Sequence, residues 1–388
     1  MPVLRGARLV TPGGVVDGGW LAHDGFRITG LGAGSPPGAV LDGEVVEVVD
    51  LDGCWVLPGF VDLHCHGGGG HSFVGGDPDQ AVQGAAFHRR HGTTTLLLGL
   101  VTGPLDRLAD ASGRLAGVVE AARRPDGSPG GIAGLHLEGP FLGEGACGAQ
   151  DPRWMVDPTP EAVARLVEAG RGTLRMVTLA PERPGALDAI ATLAEAGIVA
   201  ALGHTTATWA QARAGIDAGA TVATHLYNAM SPLHHREPGT VGAVLADPRI
   251  AAELILDGHH VHAAAATVAF DAKGPGGCAL ITDAIAAAGA ADGELRLGDL
   301  AVTVRDGAAR LASTGALAGS LLTMDAAVRF ALDAGRPITE VAAMASTTPA
   351  RLLGLAGTRG SLAAGKHADL VVLDDRHEVQ AVHTADAG

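Results

Sequence analysis

Aromatic side chains are scarce in this chain: they make up 3% of its 388 residues, with a single tyrosine. A core built on large rings is thereby excluded, and the plentiful alanine and glycine point to helices packed closely against a sheet. Cysteine is almost as rare. Cys54, Cys65, Cys147 and Cys278 are scattered, which excludes a zinc knuckle or a compact disulfide framework and fits a reducing interior. Basic residues are outnumbered, 27 against 42 acidic, so no basic face is expected and nucleic acid is excluded as the expected partner. That balance leaves room for a local Arg and His cluster binding one phosphate. No apolar run reaches membrane length, and Met1-Pro2-Val3-Leu4-Arg5 lacks the charged-then-apolar form of a signal peptide. The expectation is a cytoplasmic protein without a membrane partner.

What is present is a long alternation of strand and helix. The strand pattern falls on Val56–His64, Thr93–Leu100, Ile132–Glu138, Leu174–Leu179, Ile198–His204, Thr221–His225, Ala252–Asp257 and Ala279–Asp283. Helical stretches such as Pro78–His91, Leu105–Arg124 and Pro160–Ala169 lie between them, with apolar positions three and four apart. Eight such units predict an α/β fold, a (β/α)8 TIM-like barrel over residues 56–359. Residues 1–55 read as short strands, among them 45–49, with turns at Gly13-Gly14 and Pro36-Pro37-Gly38. The tail 360–388 has the same character. Neither piece is long enough for a core of its own, so both chain termini are expected to form one small β-sandwich domain.

In a TIM-like barrel, chemistry sits at the C-terminal ends of the strands. The last residues of five strands are His64 and His66, Glu138, His204, His225 and Asp283. Residues two apart on an extended chain share a face, so the two imidazoles of Asp62-Leu63-His64-Cys65-His66 point together. Histidine is the commonest metal ligand, and one carboxylate with two imidazoles (Glu138, His204, His225) suits a catalytic metal with an open position. His64 and His66 supply a second site, with Glu138 as the bridge. Zinc is the first expectation, and iron or manganese fit similar ligands. Asp283 is assigned to proton transfer, alone or while also touching a metal. His136 shares the strand face of Glu138 and reads as support or core.

This pattern resembles the amidohydrolase superfamily. Many of its members bridge their metals with a modified lysine on the fourth strand. That strand here holds none, and Glu138 on the third takes its place. Within the superfamily the segments His136-Leu137-Glu138-Gly139-Pro140-Phe141-Leu142, Gly203-His204-Thr205, Thr224-His225-Leu226-Tyr227-Asn228-Ala229-Met230, Arg236-Glu237-Pro238-Gly239, Thr282-Asp283-Ala284 and Leu317-Ala318-Gly319-Ser320 are similar to the N-acetylglucosamine-6-phosphate deacetylase family. The likeness extends over nearly the whole chain.

The resemblance implies hydrolysis of the acetamide of N-acetylglucosamine 6-phosphate to glucosamine 6-phosphate and acetate. Water activated on one or two divalent ions would attack, with Asp283 as base and then acid. It further implies that Asn228, the Ala229 backbone N–H and His260 bind the phosphate, and that Ala149, Gln150, Leu317, Ala318 and Gly319 meet the substrate. Arg236 would reach in from the other subunit of a homodimer. One departure stands out. The family reads Lys/Arg-x-Gly-Ala-His after Phe141, and that His contacts the sugar; here Gln150 holds its place. Glutamine exchanges hydrogen bonds with hydroxyls but carries no charge. The alternatives are an amidohydrolase acting on another N-acyl amino sugar, an N-acyl amino acid or a cyclic amide, and, more remotely, a non-catalytic scaffold.

Overall fold

The computed structural model describes residues 2–36 and 47–385, so the expected turn at Pro37-Gly38 and the first residues of the 45–49 strand lie outside the described residues. Eight parallel strands follow in sequence: β1 (Phe60–Asp62), β2 (Thr93–Val101), β3 (Ile132–Glu138), β4 (Leu174–Leu179), β5 (Val199–Leu202), β6 (Val222–Ala223), β7 (Ala251–Ile255) and β8 (Cys278–Ile281). Each pairs with its sequence neighbour, as βα units with right-handed crossovers require. The sheet closes just past the strand ends: the His64 carbonyl accepts the Asp283 N–H at 2.8 Å, and the Ala284 carbonyl accepts the His66 N–H at 2.7 Å. The seam of the barrel therefore lies beside the residues singled out for chemistry.

Helices start where the sequence caps them. Asp77 accepts the N–H groups of Asp79 and Gln80 ahead of α1 (Pro78–Arg90), and Thr159 caps α2 (Pro160–Ala169). Thr208 and Gln211 form a reciprocal capping box on α3 (Trp209–Asp217). Their buried faces join the strands in one apolar core built from small and aliphatic side chains, such as Leu97, Leu135, Val177, Ala201 and Ile255. No helix among the described residues is long and apolar enough to cross a membrane.

The expected first strand, Val56–His64, is two strands. Trp55–Pro58 pairs antiparallel with Leu370–Leu373 from the other end of the chain, and the barrel strand begins only at Phe60. Gly59 is the break: a Cβ there would sit 2.1 Å from Thr94 Oγ1, so only glycine lets the chain pass this close to β2. The terminal sheet runs Val379–His383, Leu370–Leu373, Trp55–Pro58, Pro2–Thr11, Gly14–His23, Ile28–Ala33, with Glu47–Asp50 also on Pro2–Thr11. Leu9, Leu21, Ile28, Val56 and Leu370 make its own apolar core. A three-stranded sheet that the sequence reading passed over (Gly293–Leu297, Leu300–Arg305, Ala308–Leu311) follows β8.

Arg124, past the second barrel strand's helix, donates to Asp369 at 2.7 and 3.0 Å, and both side chains are buried. Asp369 leads into the terminal strand, and its carbonyl holds the Gly59 N–H. This ion pair ties barrel to terminal sheet. Removing one partner strands a buried charge, so Asp369→Ala is expected to destabilise the protein by about 3–5 kcal/mol. Replacing both (Arg124→Met with Asp369→Leu) should recover most of that, as read by chemical denaturation.

Candidate metal centre

The six residues expected at the strand ends meet in one buried cluster. Glu138 is its hub: Oε1 lies 3.0 Å from the Nε2 atoms of both His204 and His225, and Oε2 lies 3.1 Å from His66 Nε2. Asp283 Oδ1 is 3.5 and 3.4 Å from the Nε2 atoms of His64 and His66. Two triads result, Glu138 with His204 and His225, and His64 with His66 and Asp283, and in each the candidate ligand atoms lie within 4.8 Å of one another. Local backbone aims these side chains. His204, His225 and Asp283 have φ of 47°, 32° and 49°, left-handed values that cost a non-glycine residue about 1–3 kcal/mol each and cluster at functional sites. The same turn ends the ladder early at β6, which has two residues where five were expected.

The donor chemistry asks for a cation. His204 Nδ1 donates to the Ala146 carbonyl at 2.9 Å, so in the neutral ring Nε2 carries the lone pair. His64 Nδ1 faces Glu253 Oε2 at 3.3 Å, which leaves its Nε2 in the same state. Yet the Nε2 atoms of His64 and His66 are 3.0 Å apart, those of His204 and His225 are 3.2 Å apart, and carboxylates crowd both pairs. The two lone pairs, of His64 and His204, thus face neighbouring rings and carboxylates, an arrangement that a shared proton or a cation satisfies. Burial works against charge on His64, but Glu138 and Asp283 outweigh it and raise its pKa well above the ordinary value. Burial likewise raises Glu138, and the surrounding imidazoles, His64 first, overturn it and pull the carboxyl well below its usual range. A field that holds protons this firmly also fits a divalent ion, and an N/O donor set of this kind suits zinc, iron or manganese.

A third grouping, Asp62 with Cys65 and His88, is spatially compact but internally spoken for. Asp62 accepts Thr282 Oγ1 at 2.6 Å and the backbone N–H groups of Thr282 and His64 at 3.2 Å. His88 Nε2 donates to the Gly67 carbonyl at 2.9 Å, and burial raises the Cys65 thiol well above its ordinary pKa. Asp62 thus braces the first strand against the eighth. His136 is a support as well: Nε2 meets Thr178 Oγ1 at 2.8 Å and its ring packs edge-on against His64.

A cavity of about 300 Å³ opens over the cluster. Of the residues expected at the substrate, Ala149, Gln150, Asn228, Ala229, His260, Leu317 and Gly319 line it, while Ala318 is fully buried behind. Arg236 is exposed on the loop before Gly239 and does not line this chain's own cavity. The histidine-rich loop after β7 sorts itself out: His262 caps the next helix through Nδ1, His259 is exposed, and His260 faces the cavity wall with Nδ1 2.7 Å from Asp257 Oδ2. Gln150 does something other than expected. Its Oε1 accepts the Thr102 N–H at 2.8 Å and its Nε2 donates to Glu138 Oε2 at 2.5 Å, so the amide holds the hub carboxylate. The sequence reading also passed over Glu253, buried beneath the cluster, and Glu182, whose carboxylate takes the Thr206 N–H at 2.7 Å and orders the turn after His204.

The sequence matches the amidohydrolase family over residues 55–386. This chain belongs to that family. A divalent metal goes with amidohydrolase membership, and the donor set above fits one. Among curated relatives, the N-acetylgalactosamine-6-phosphate deacetylase of Escherichia coli O157:H7 is 40% identical over 98% of this chain and 97% of its own length. The N-acetylglucosamine-6-phosphate deacetylase of Lysinibacillus sphaericus is 37% identical, covering 85% and 84%. Among solved structures, a mutant N-acetyl-D-glucosamine-6-phosphate deacetylase from Mycobacterium smegmatis in complex with N-acetyl-D-glucosamine-6-phosphate superposes with a TM-score of 0.92. It is 44% identical, covering 99% of this chain and 98% of that one.

Because Glu138 touches both histidine pairs, Glu138→Ala is expected to strip the amidohydrolase of all tightly held metal, whereas His66→Ala loses only part. Metal per chain after gel filtration, read by plasma emission, distinguishes the two.

Proposed function

We propose that this chain hydrolyses the acetamide of N-acetylglucosamine 6-phosphate to glucosamine 6-phosphate and acetate. The observation that carries the reading is the two-ended chemistry of one cavity: a ligand cluster with an aspartate at its floor, and an imidazole backed by a carboxylate on its wall. Glu138, His204 and His225, alone or with His64 and His66, would hold a divalent ion, which would supply Lewis acidity and make water a stronger acid. Zinc is the first choice on donor type.

Asp283, on the cavity lining beside His64 and His66, is assigned the proton transfer. Its carboxylate takes the proton of the attacking water as the new C–O bond forms. It then returns that proton to the amide nitrogen as the C–N bond breaks, so acetate and a free amine leave together. Asn228 Nδ2 is held by the His225 and Leu226 carbonyls at 3.3 Å, and Ala229, with a left-handed φ of 49°, lines the cavity beside it. Burial lowers the His260 pKa, but Asp257 outweighs it and raises the imidazole above its ordinary value, which favours a cation for a phosphate dianion. Arg236, exposed and unused by its own cavity, is proposed to complete the phosphate site of a second subunit.

A second reading, the galactosamine epimer as substrate, is supported by the likeness to the 40% identical N-acetylgalactosamine-6-phosphate deacetylase.

Acetate release from both epimers, with and without the 6-phosphate, tests these readings. Faster turnover of a phosphorylated form is expected, and equal turnover without phosphate would sink the assignment. Asp283→Asn should lower kcat by about 10²- to 10⁴-fold with the fold intact by circular dichroism. The cationic form of His260 is held below its raised pKa and lost as pH climbs through it. The alkaline fall of kcat/KM for the phosphorylated substrate should therefore move to lower pH in Asp257→Asn.

A further inference from the structure

Glu253 sits in the middle of β7, within Ala251-Ala252-Glu253-Leu254-Ile255, fully buried and aimed into the barrel beneath the ligand cluster. An ionised carboxylate placed there is strongly unfavourable unless a positive group compensates it. No lysine or arginine among the described residues pairs with it. Its Oε2 lies 3.3 Å from His64 Nδ1 and 3.4 Å from the His225 backbone N–H, and Oε1 has no hydrogen-bond partner among the described residues. His64 is the ring on which the second triad depends: its Nε2 lies 3.0 Å from His66 Nε2 and 3.5 Å from Asp283 Oδ1. Among the four clustered histidines, His204 is braced by a carbonyl, and the Nδ1 atoms of His66 and His225 have no partner among the described residues. His64 alone is backed by a charge.

From this geometry we infer that Glu253 is a positioning residue that fixes His64 as a metal ligand, and that occupation of the His64, His66 and Asp283 site depends on it. The inference rests on the metal-dependent reading above and deepens it. A carboxylate taking the far N–H of a ligating imidazole fixes its tautomer and orientation and makes the ring a stronger donor.

The test compares Glu253→Gln, which keeps the shape and an acceptor but removes the charge, with the parent holoprotein. Each is equilibrated with graded chelator, and retained zinc or cobalt is counted per chain. The parent is expected to release two ions in separate steps. In Glu253→Gln the weaker step should come at about 10- to 100-fold higher free metal while the tighter step stays put. The cobalt absorption of the second equivalent should fade with it. Thermal melting of chelated protein should be unchanged or raised, because a buried charge has gone. Equal release from parent and variant would overturn the inference, as would loss of both ions together with a lowered melting point, which marks a merely structural residue. A parent that holds no divalent ion would instead overturn the metal-dependent reading itself.

Discussion

Four imidazole nitrogens and two carboxylates are held face to face in the mouth of this barrel, at separations that shared protons or a cation satisfy. The surroundings of the cluster resist relaxation: left-handed residues at three candidate ligands, a barrel seam through His64 and Asp283, and Asp62 clamped to Thr282. Rigidity of this kind lets a site bind a cation and keep its geometry for a reacting water, since little reorganisation is left for the chemical step.

Beneath the cluster lies a polar layer unusual for a barrel interior. His136 meets Thr178, Thr178 meets Thr224 at 2.9 Å, and Glu253 reaches His64. Barrel interiors are ordinarily filled by branched apolar side chains. Here the layer next to the chemistry includes groups that orient rings.

Much of this was legible in the sequence because strand ends and chemistry coincide in the fold. His64, His66, Glu138, His204, His225 and Asp283 each follow an apolar run, and the structure gathers all six. The split at Gly59 was not legible, since an apolar strand continues smoothly through it and only the approach of Thr94 forbids a side chain. Glu253 was hidden in an apolar run whose burial on both faces no alternation reveals. Gln150 was read by its neighbours in the loop, and its actual partner, Glu138, is adjacent only in space. The small sheet after β8 did carry a signal: Asp306-Gly307, both at positive φ, close a two-residue hairpin between alternating strands.

The central claim is that this cluster, and not another donor set, holds the metal. X-ray absorption at the metal edge of the purified holoprotein tests it most directly. The account predicts a shell of nitrogen and oxygen at about 2.0–2.2 Å with the outer scattering of several imidazoles and no sulfur. A sulfur shell near 2.3 Å, which would place the ion at Cys65, or a shell of water alone, would contradict it.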